Sequence, residues 1–260
     1  MLGAIIGDIV GSRFEFNNTS DFNFELFGKG CDFTDDTICT IAVADAILQK
    51  GRRKAGDPCY AAYLLRWCRR FYNPMGGYGG SFARWIHSET PQPYNSFGNG
   101  SAMRVSAVGW LFNNEEEVLE QAKKSAEITH NHPEGIKGAQ AVALAVYLGR
   151  IGYPKQAILE RMREFYPEFE EPVLGGNSFN ETCQGTLPIC LGIIEKANNF
   201  EEAIRYSIAV GGDSDTIGAI VGAIAEPIFG IPHWIEYKAI EYIPNDMMFI
   251  LNAAMLYGEK

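Results

Sequence analysis

The sequence predicts an all-α fold. Three observations carry the prediction: convincing period-two alternation is missing, no βαβ rhythm repeats, and apolar residues recur at helical spacing between capping residues and prolines. No fixed repeat period suggests a solenoid. No Ser/Pro/Gly-rich or charge-rich connector interrupts the chain, so residues 1–260 read as one domain. At 260 residues, 47% of them hydrophobic, the chain is long enough for one substantial core.

The elements follow in order. The opening "MLGAIIGDIVGSRFEF" has no basic flank, and Asp8 breaks its apolar run, which excludes a signal peptide. Residues 34–49 form an apolar helix with no polar face, which belongs at the centre of a bundle. Asp57-Pro58 reads as an N-cap with proline at the first helical position. Tyr60, Tyr63, Leu64, Trp67 and Phe71 then recur at helical spacing before Asn73-Pro74 stops the run. Asn114 can cap "EEEVLEQAKKSAEI", whose first-turn glutamates suit the positive end of the helix dipole. Helices are expected at 133–149, 154–165, 187–197, 200–210 and 234–242, a second all-apolar one at 215–229, and "NDMMFILNAAMLYG" closes the chain.

The formal net charge of −10 disfavours non-specific nucleic-acid binding and attachment to a membrane surface. The longest later apolar run, Ile217 to Ala225, is too short to span a bilayer. Six dispersed cysteines contain no C-x-x-C pair, and Cys39 and Cys190 sit among apolar neighbours, as buried thiols do. The expectation is a cytoplasmic, monomeric protein whose ligands are neutral, cationic or held through metal ions.

Two acidic clusters break this ordinary pattern. "FTDDT" places Asp35 and Asp36 between Thr34 and Thr37, and "GGDSDT" places Asp213 and Asp215 ahead of Thr216. Each opens an apolar helix. Capping accounts for single acids at such positions, but two carboxylates with threonines at both places raise one another's pKa unless a cation intervenes. Ligand sets made only of oxygen suit Mg²⁺, Mn²⁺ or Ca²⁺, whereas zinc prefers His and Cys. "DSDTIGAIVGAI" is not an EF-hand loop, because Ile224 stands where a bidentate glutamate is required. An aspartyl-phosphate nucleophile would need a preceding buried strand, and "EEAIRYSIAV" reads better as a helix.

From end to end, the chain resembles the ADP-ribosylglycohydrolase family. "GAIIGDIVGSRFEF" resembles its opening helix, "FTDDT" its first metal cluster and "FGNGSAMRVSAVG" its ligand loop. "THNHPEGIKGAQAVALAVYL" resembles the next helix and "GGDSDTIGAIVGAIAEPIFG" the second metal cluster. The resemblance implies a compact all-α orthogonal bundle and a hydrolase that cleaves the N- or O-glycosidic bond between ADP-ribose and an acceptor on a protein or small molecule. It implies two divalent cations, Mg²⁺ or Mn²⁺, held by Thr34, Asp35, Asp36, Asp213, Asp215 and Thr216. Glu15 matches the catalytic glutamate, with Asp36 and Asp213 assisting.

The same resemblance assigns ligand contacts to Gly80, Ser96, Phe97, Gly98, Asn99, Gly100, Ser101, Met103 and His130. The glycine-rich stretches Gly76–Ser81 and Ser96–Arg104 allow backbone N–H groups to approach phosphate oxygens. His132, before Pro133, is expected to open a helix without a chemical role. Between Trp67 and Trp85 the chain has no Asp or Glu to pair with a guanidinium, which disfavours an arginine acceptor. A non-catalytic ADP-ribose or nucleotide-binding module and a metal-dependent phosphohydrolase are the competing readings.

Overall fold

The computed structural model describes residues 1–53 and 56–258. The helices are, in order, α1 (Leu2–Gly11), α2 (Asp35–Arg53), α3 (Tyr60–Arg70), α4 (Gly80–His87), α5 (Gly100–Met103), α6 (Ser106–Leu111), α7 (Glu115–Glu127) and α8 (Pro133–Arg150). The chain continues through α9 (Lys155–Met162), α10 (Cys183–Lys196), α11 (Phe200–Ala209), α12 (Ser214–Phe229), α13 (His233–Ile240) and α14 (Asn245–Gly258). Among the described residues the extended backbone amounts to one isolated antiparallel bridge between Gly98 and Thr182. The fold is all-α, and no described helix is long and apolar enough to cross a membrane.

Local signals set most of the boundaries. Asn114 Oδ1 accepts from the Glu117 N–H at 2.8 Å and Asn199 Oδ1 from the Glu202 N–H at 2.9 Å, each occupying one donor the helix cannot use internally. His132 does open α8: its Nδ1 accepts from the Glu134 N–H at 3.1 Å, with Pro133 at the first helical position. Three expectations need correction. Asp57 does not cap α3, which follows Cys59. Its carboxylate instead accepts from Gln121 Nε2 at 2.9 Å and Lys124 Nζ at 2.8 Å. Helix α10 begins at Cys183 rather than 187, because Thr182 Oγ1 accepts from the Gly185 N–H at 3.1 Å and Pro188 is carried inside the helix. The Ser96–Arg104 segment is not loop throughout, since Gly100–Met103 forms a helical turn.

The core is organised around one antiparallel pair, α1 against α12. Every residue of α1 is buried, as is α12 from Ser214 to Ala225. Glycines meet glycines along the seam. A Cβ at Gly3 would overlap the Gly222 carbonyl, one at Gly7 the Gly218 carbonyl, and one at Gly11 would lie 2.5 Å from Asp215 Cα. Backbone therefore packs directly on backbone, closer than side chains permit. Helices α2 and α8 pack beside this pair, with α8 buried from Ala141 to Gly149 and α2 from Asp36 to Leu48.

Antiparallel packing puts the C-terminal end of α1 at the N-terminal end of α12. The residues that follow α1, Ser12–Phe14 in a 3₁₀ turn and then Glu15, are thereby delivered to the second acidic cluster.

Gly7→Ala and Gly218→Ala should each destabilise the protein by about 3 kcal/mol, because the obstacle is backbone and cannot rotate away. Urea unfolding followed by circular dichroism measures this. A wild-type midpoint for either variant would show that the two helices do not depend on contact at glycine.

Candidate active site

The two acidic clusters, 180 residues apart in sequence, meet across the α1–α12–α2 junction. Thr216 Oγ1 donates to Asp36 Oδ2 at 3.3 Å, joining them directly. Oxygen atoms of Asp8, Asp36 and Asp215 lie within 4.8 Å of one another, as do those of Glu15, Asp213 and Asp215, so Asp215 belongs to both groups. Asp36, Asp213 and Asp215 are buried, while Asp35 and Glu15 are half-buried at the wall of a cavity of about 390 Å³.

Each carboxylate is held by a specific partner. Asp8 accepts from the Thr34 N–H at 3.0 Å and hydroxyl at 2.7 Å, and from the Thr37 N–H at 3.0 Å and hydroxyl. It thereby clamps the start of α2 to α1, with both its oxygens occupied. Thr34 Oγ1 in turn accepts from the Asp36 N–H at 3.3 Å. Asp213 Oδ2 accepts from Asn99 Nδ2 at 2.7 Å, and Asn99 also donates to Thr186 Oγ1 at 3.2 Å. Gly211 and Gly212 hold φ of 84° and 85° in the turn before Asp213, a conformation that side chains resist.

Asn18 locks this turn to the Glu15 segment. Its amide donates to Gly212 O at 2.9 Å and Phe14 O at 2.6 Å, and its carbonyl accepts from the Gly212 N–H at 2.8 Å.

Burial dominates the electrostatics. It pushes Asp213 up to about 6, with Glu181 adding to the rise and Asn99 opposing it. Asp36 is raised well above the carboxylate range by burial, then by Asp8, Asp35 and Asp213; Asp215 is raised likewise by burial, then by Asp36, Asp213 and Glu15. Asp35 is raised by burial and by Asp8, Glu15 and Asp213. Burial and the charges of Asp213, Asp8 and Glu181 push Glu15 up to about 7. The cluster thus resists ionisation when nothing cationic is present.

The donor set fits hard divalent cations. Asp36 Oδ1 and Glu15 Oε2 are buried with no hydrogen-bond partner among the described residues, and every polar atom in the two clusters' side chains is oxygen. These unpartnered oxygens would bind an ion or a water where protein donors are missing.

Of the ligand contacts expected from sequence, Gly80, Ser96, Gly98, Asn99, Gly100, Met103 and His130 line the cavity together with Asp35, Asp36, Asp213, Asp215, Thr216 and Glu15. Three residues lie outside its wall. Thr34 is buried on Asp8 and Asp36. Ser101 is fully buried and donates to Gly135 O at 2.7 Å. Phe97 packs edge-on against His132, ring centroids 5.3 Å apart. Burial and the nearby Arg104 hold His130 well below the usual imidazole range, so it is neutral. Its Nδ1 meets Thr129 Oγ1 at 2.7 Å, and Arg104 donates to that same oxygen at 2.9 Å. His130 Nε2 faces Gly98 and Gly100.

Sequence reasoning did not single out Asp8, Asn18, Glu181 or Arg104. Asp8 was legible as a lone acid inside an otherwise apolar helix, which in a buried segment demands a partner. Asn18 carries no signal, because the partner that gives it its role, Gly212, is distant in sequence.

Comparisons with known proteins identify the family. The ADP-ribosylglycohydrolase family profile matches residues 1–237. The chain is 25% identical to ADP-ribosylhydrolase ARH3 of Danio rerio, over 89% of this chain and 82% of that protein. It is also 25% identical to ADP-ribosylarginine hydrolase Tri1 of Pseudomonas putida, over 92% of this chain and 73% of that one. The solved structure of an "ADP-ribosylglycohydrolase-related protein complex" superposes with a TM-score of 0.75 at 25% identity, covering 98% of this chain and 94% of the other. A family profile spanning nine-tenths of the chain, its motifs converging on one acidic cavity, shows that the chain belongs to the ADP-ribosylglycohydrolase family.

Proposed function

We propose that this protein hydrolyses the glycosidic bond between ADP-ribose and an acceptor, using two divalent cations, Mg²⁺ or Mn²⁺. The observation that carries the reading is the convergence of Glu15 with Asp35, Asp36, Asp213 and Asp215 on one cavity whose other walls are glycine-rich. Thr216, on the cavity wall, would complete the ligand set with the four aspartates, whereas Thr34 stands behind that wall with its hydroxyl engaged by Asp8 and Asp36. When bound, the cations supply positive charge that orients the distal ribose and offsets the repulsion among these carboxylates.

The protein's own groups do the rest. Helix α4 opens with Gly80 and Ser81 on the cavity wall, where its first N–H groups have no intrahelical partners and suit a phosphate oxygen. His130 Nε2 offers a further polar contact beside Gly98 and Gly100. Glu15, poised near neutrality, takes a proton from the attacking water and returns it to the departing acceptor. Asn99 fixes the carboxylate of Asp213, and Asn18 fixes the turn that carries it.

Incubation with ADP-ribosylated substrate and Mg²⁺ should release free ADP-ribose; no product would favour a binding module, and AMP with ribose phosphate a phosphohydrolase. Asp35→Asn, Asp215→Asn or excess EDTA should nearly abolish release without loss of helical circular dichroism. Full activity after exhaustive chelation would overturn the role of the metals. Glu15→Gln should retain ADP-ribose binding by calorimetry while turnover falls by roughly two to four orders of magnitude. Equal loss of binding and rate would make Glu15 a structural residue.

The raised carboxylates also fix the sign of a pH effect. Groups whose folded pKa exceeds the unfolded value stabilise the fold fully below the unfolded pKa, and that stability is lost as pH rises through the folded one. With Asp213 at about 6 and Glu15 at about 7, metal-free protein should melt lower as pH rises from about 4 to about 7. Mg²⁺ should restore the melting temperature most at the upper end. A melting temperature indifferent to metal at pH 7 would count against a cation site.

A further inference from the structure

We propose that the end of the α1–α12 pair remote from the acidic site carries a second ligand site, a mostly apolar cavity that takes an aliphatic carboxylate. The glycine seam has two ends. Gly11 meets Asp215 at the acidic one, and Gly3 meets Gly222 at the other. Beside that far end lies a cavity of about 270 Å³, walled by the start of α1, Trp110 of α6, Arg150 at the close of α8, Glu226 of α12 and the α14 face carrying Leu251 and Ala254. It shares no wall residue with the acidic cavity. The ten residues of α1 separate the two by roughly 15 Å.

Shape and walls select the body of the ligand. The volume falls just under the roughly 300–1,000 Å³ typical of small-molecule pockets, so the occupant is small. Leu2, Leu251 and Ala254 are buried, whereas Met255 on the same wall is 48% exposed, so the cavity opens to solvent beside it. Aliphatic walls with an unbranched thioether at the opening adapt to a flexible hydrocarbon chain.

Charge selects the head group. Glu226 is already engaged: its carboxylate pairs with the Met1 ammonium and accepts from the Gly3 N–H at 2.9 Å. Arg150 has no such partner. Its guanidinium donates to Trp110 O at 2.9 Å, to Asn113 Oδ1 at 3.2 Å and to Phe112 O, all of them neutral acceptors. Among the described residues no carboxylate offsets its charge. Two N–H donors of the wall, Trp110 Nε1 and Arg150 Nε, are also buried without a hydrogen-bond partner among the described residues. A single carboxylate supplies both the missing negative charge and the missing acceptors. A neutral hydrocarbon would leave the donors unsatisfied, an amine would be repelled, and a polyanion would bring more charge than one guanidinium balances.

The test titrates three probes into the wild-type protein by calorimetry: octanoate, octanamide, which keeps the chain without the charge, and acetate, which keeps the charge without the chain. Octanoate should bind and raise the melting temperature, octanamide should bind roughly tenfold more weakly, and acetate should give no heat. Saturating ADP-ribose with Mg²⁺ should leave octanoate affinity unchanged, because the two cavities are separate. Arg150→Gln should weaken octanoate roughly tenfold, to the level of octanamide. Ala254→Leu, which fills the cavity and leaves the charge in place, should abolish binding of both. No octanoate binding, equal affinity for octanoate and octanamide, or binding that survives Ala254→Leu would overturn the site. Competition by ADP-ribose would move octanoate to the acidic cavity and overturn it as well. If Arg150→Gln loses its helical circular dichroism, the wild-type comparison and Ala254→Leu still decide the outcome.

Discussion

Direct backbone contact between α1 and α12 is the constraint on which the rest depends. Gly3, Gly7 and Gly11 face Gly222, Gly218 and the Ser214–Asp215 backbone, and a single Cβ at the first two would overlap a carbonyl of the partner helix. Because the pair is antiparallel, the end of α1 and the beginning of α12 are brought to the same place. Glu15, Asp213 and Asp215 gather there as a consequence of helix packing. The close approach also leaves no room for intervening side chains, so the site is built at a junction with little freedom to relax.

That rigidity makes the electrostatic arrangement possible. Four aspartates and a glutamate around one cavity repel one another, and burial adds to the cost of ionising them. A flexible chain would relieve the strain by spreading the acids apart. Here Asp8 ties the start of α2 to α1 through four donors from Thr34 and Thr37, Asn99 holds Asp213, and Asn18 joins the Gly211–Gly212 turn to the Glu15 segment. The unsatisfied oxygen of Asp36 is what remains after these contacts are made. A site assembled this way keeps its shape before the ligand arrives, which reduces what must be ordered on binding.

Two kinds of surface meet in the cavity. The glycine-rich walls at Gly76–Ser81 and Ser96–Gly100 offer backbone and the neutral His130 to an anion, whereas the acidic centre and Glu181 favour cations. An ADP-ribosylated ligand has both characters, a diphosphate at one part and an acceptor at another. On the proposed function, the contrast between the two walls would orient such a ligand without requiring a favourable overall field from a chain of net charge −10.

The sequence by itself determined most of the helices, though not those between Gly80 and Leu111, together with the central place of the two apolar ones and the clustering of acids at their mouths. These are local properties: caps and prolines act within a turn, apolar patterning reports burial of a face, and like charges one or two residues apart must interact wherever the chain goes. The family motifs likewise marked Glu15 and the four aspartates. Only the tertiary structure decided which acids share an oxygen cluster, that Asp8 is a clamp with both oxygens occupied, and that Ser101, Thr34 and Phe97 stand behind or beside the cavity wall rather than in it. It alone placed Asn18 and Glu181. The Gly212 partner of Asn18 and the Asn99 partner of Glu181 lie tens to nearly two hundred residues away, and no local pattern encodes a contact that exists only once distant helices have packed.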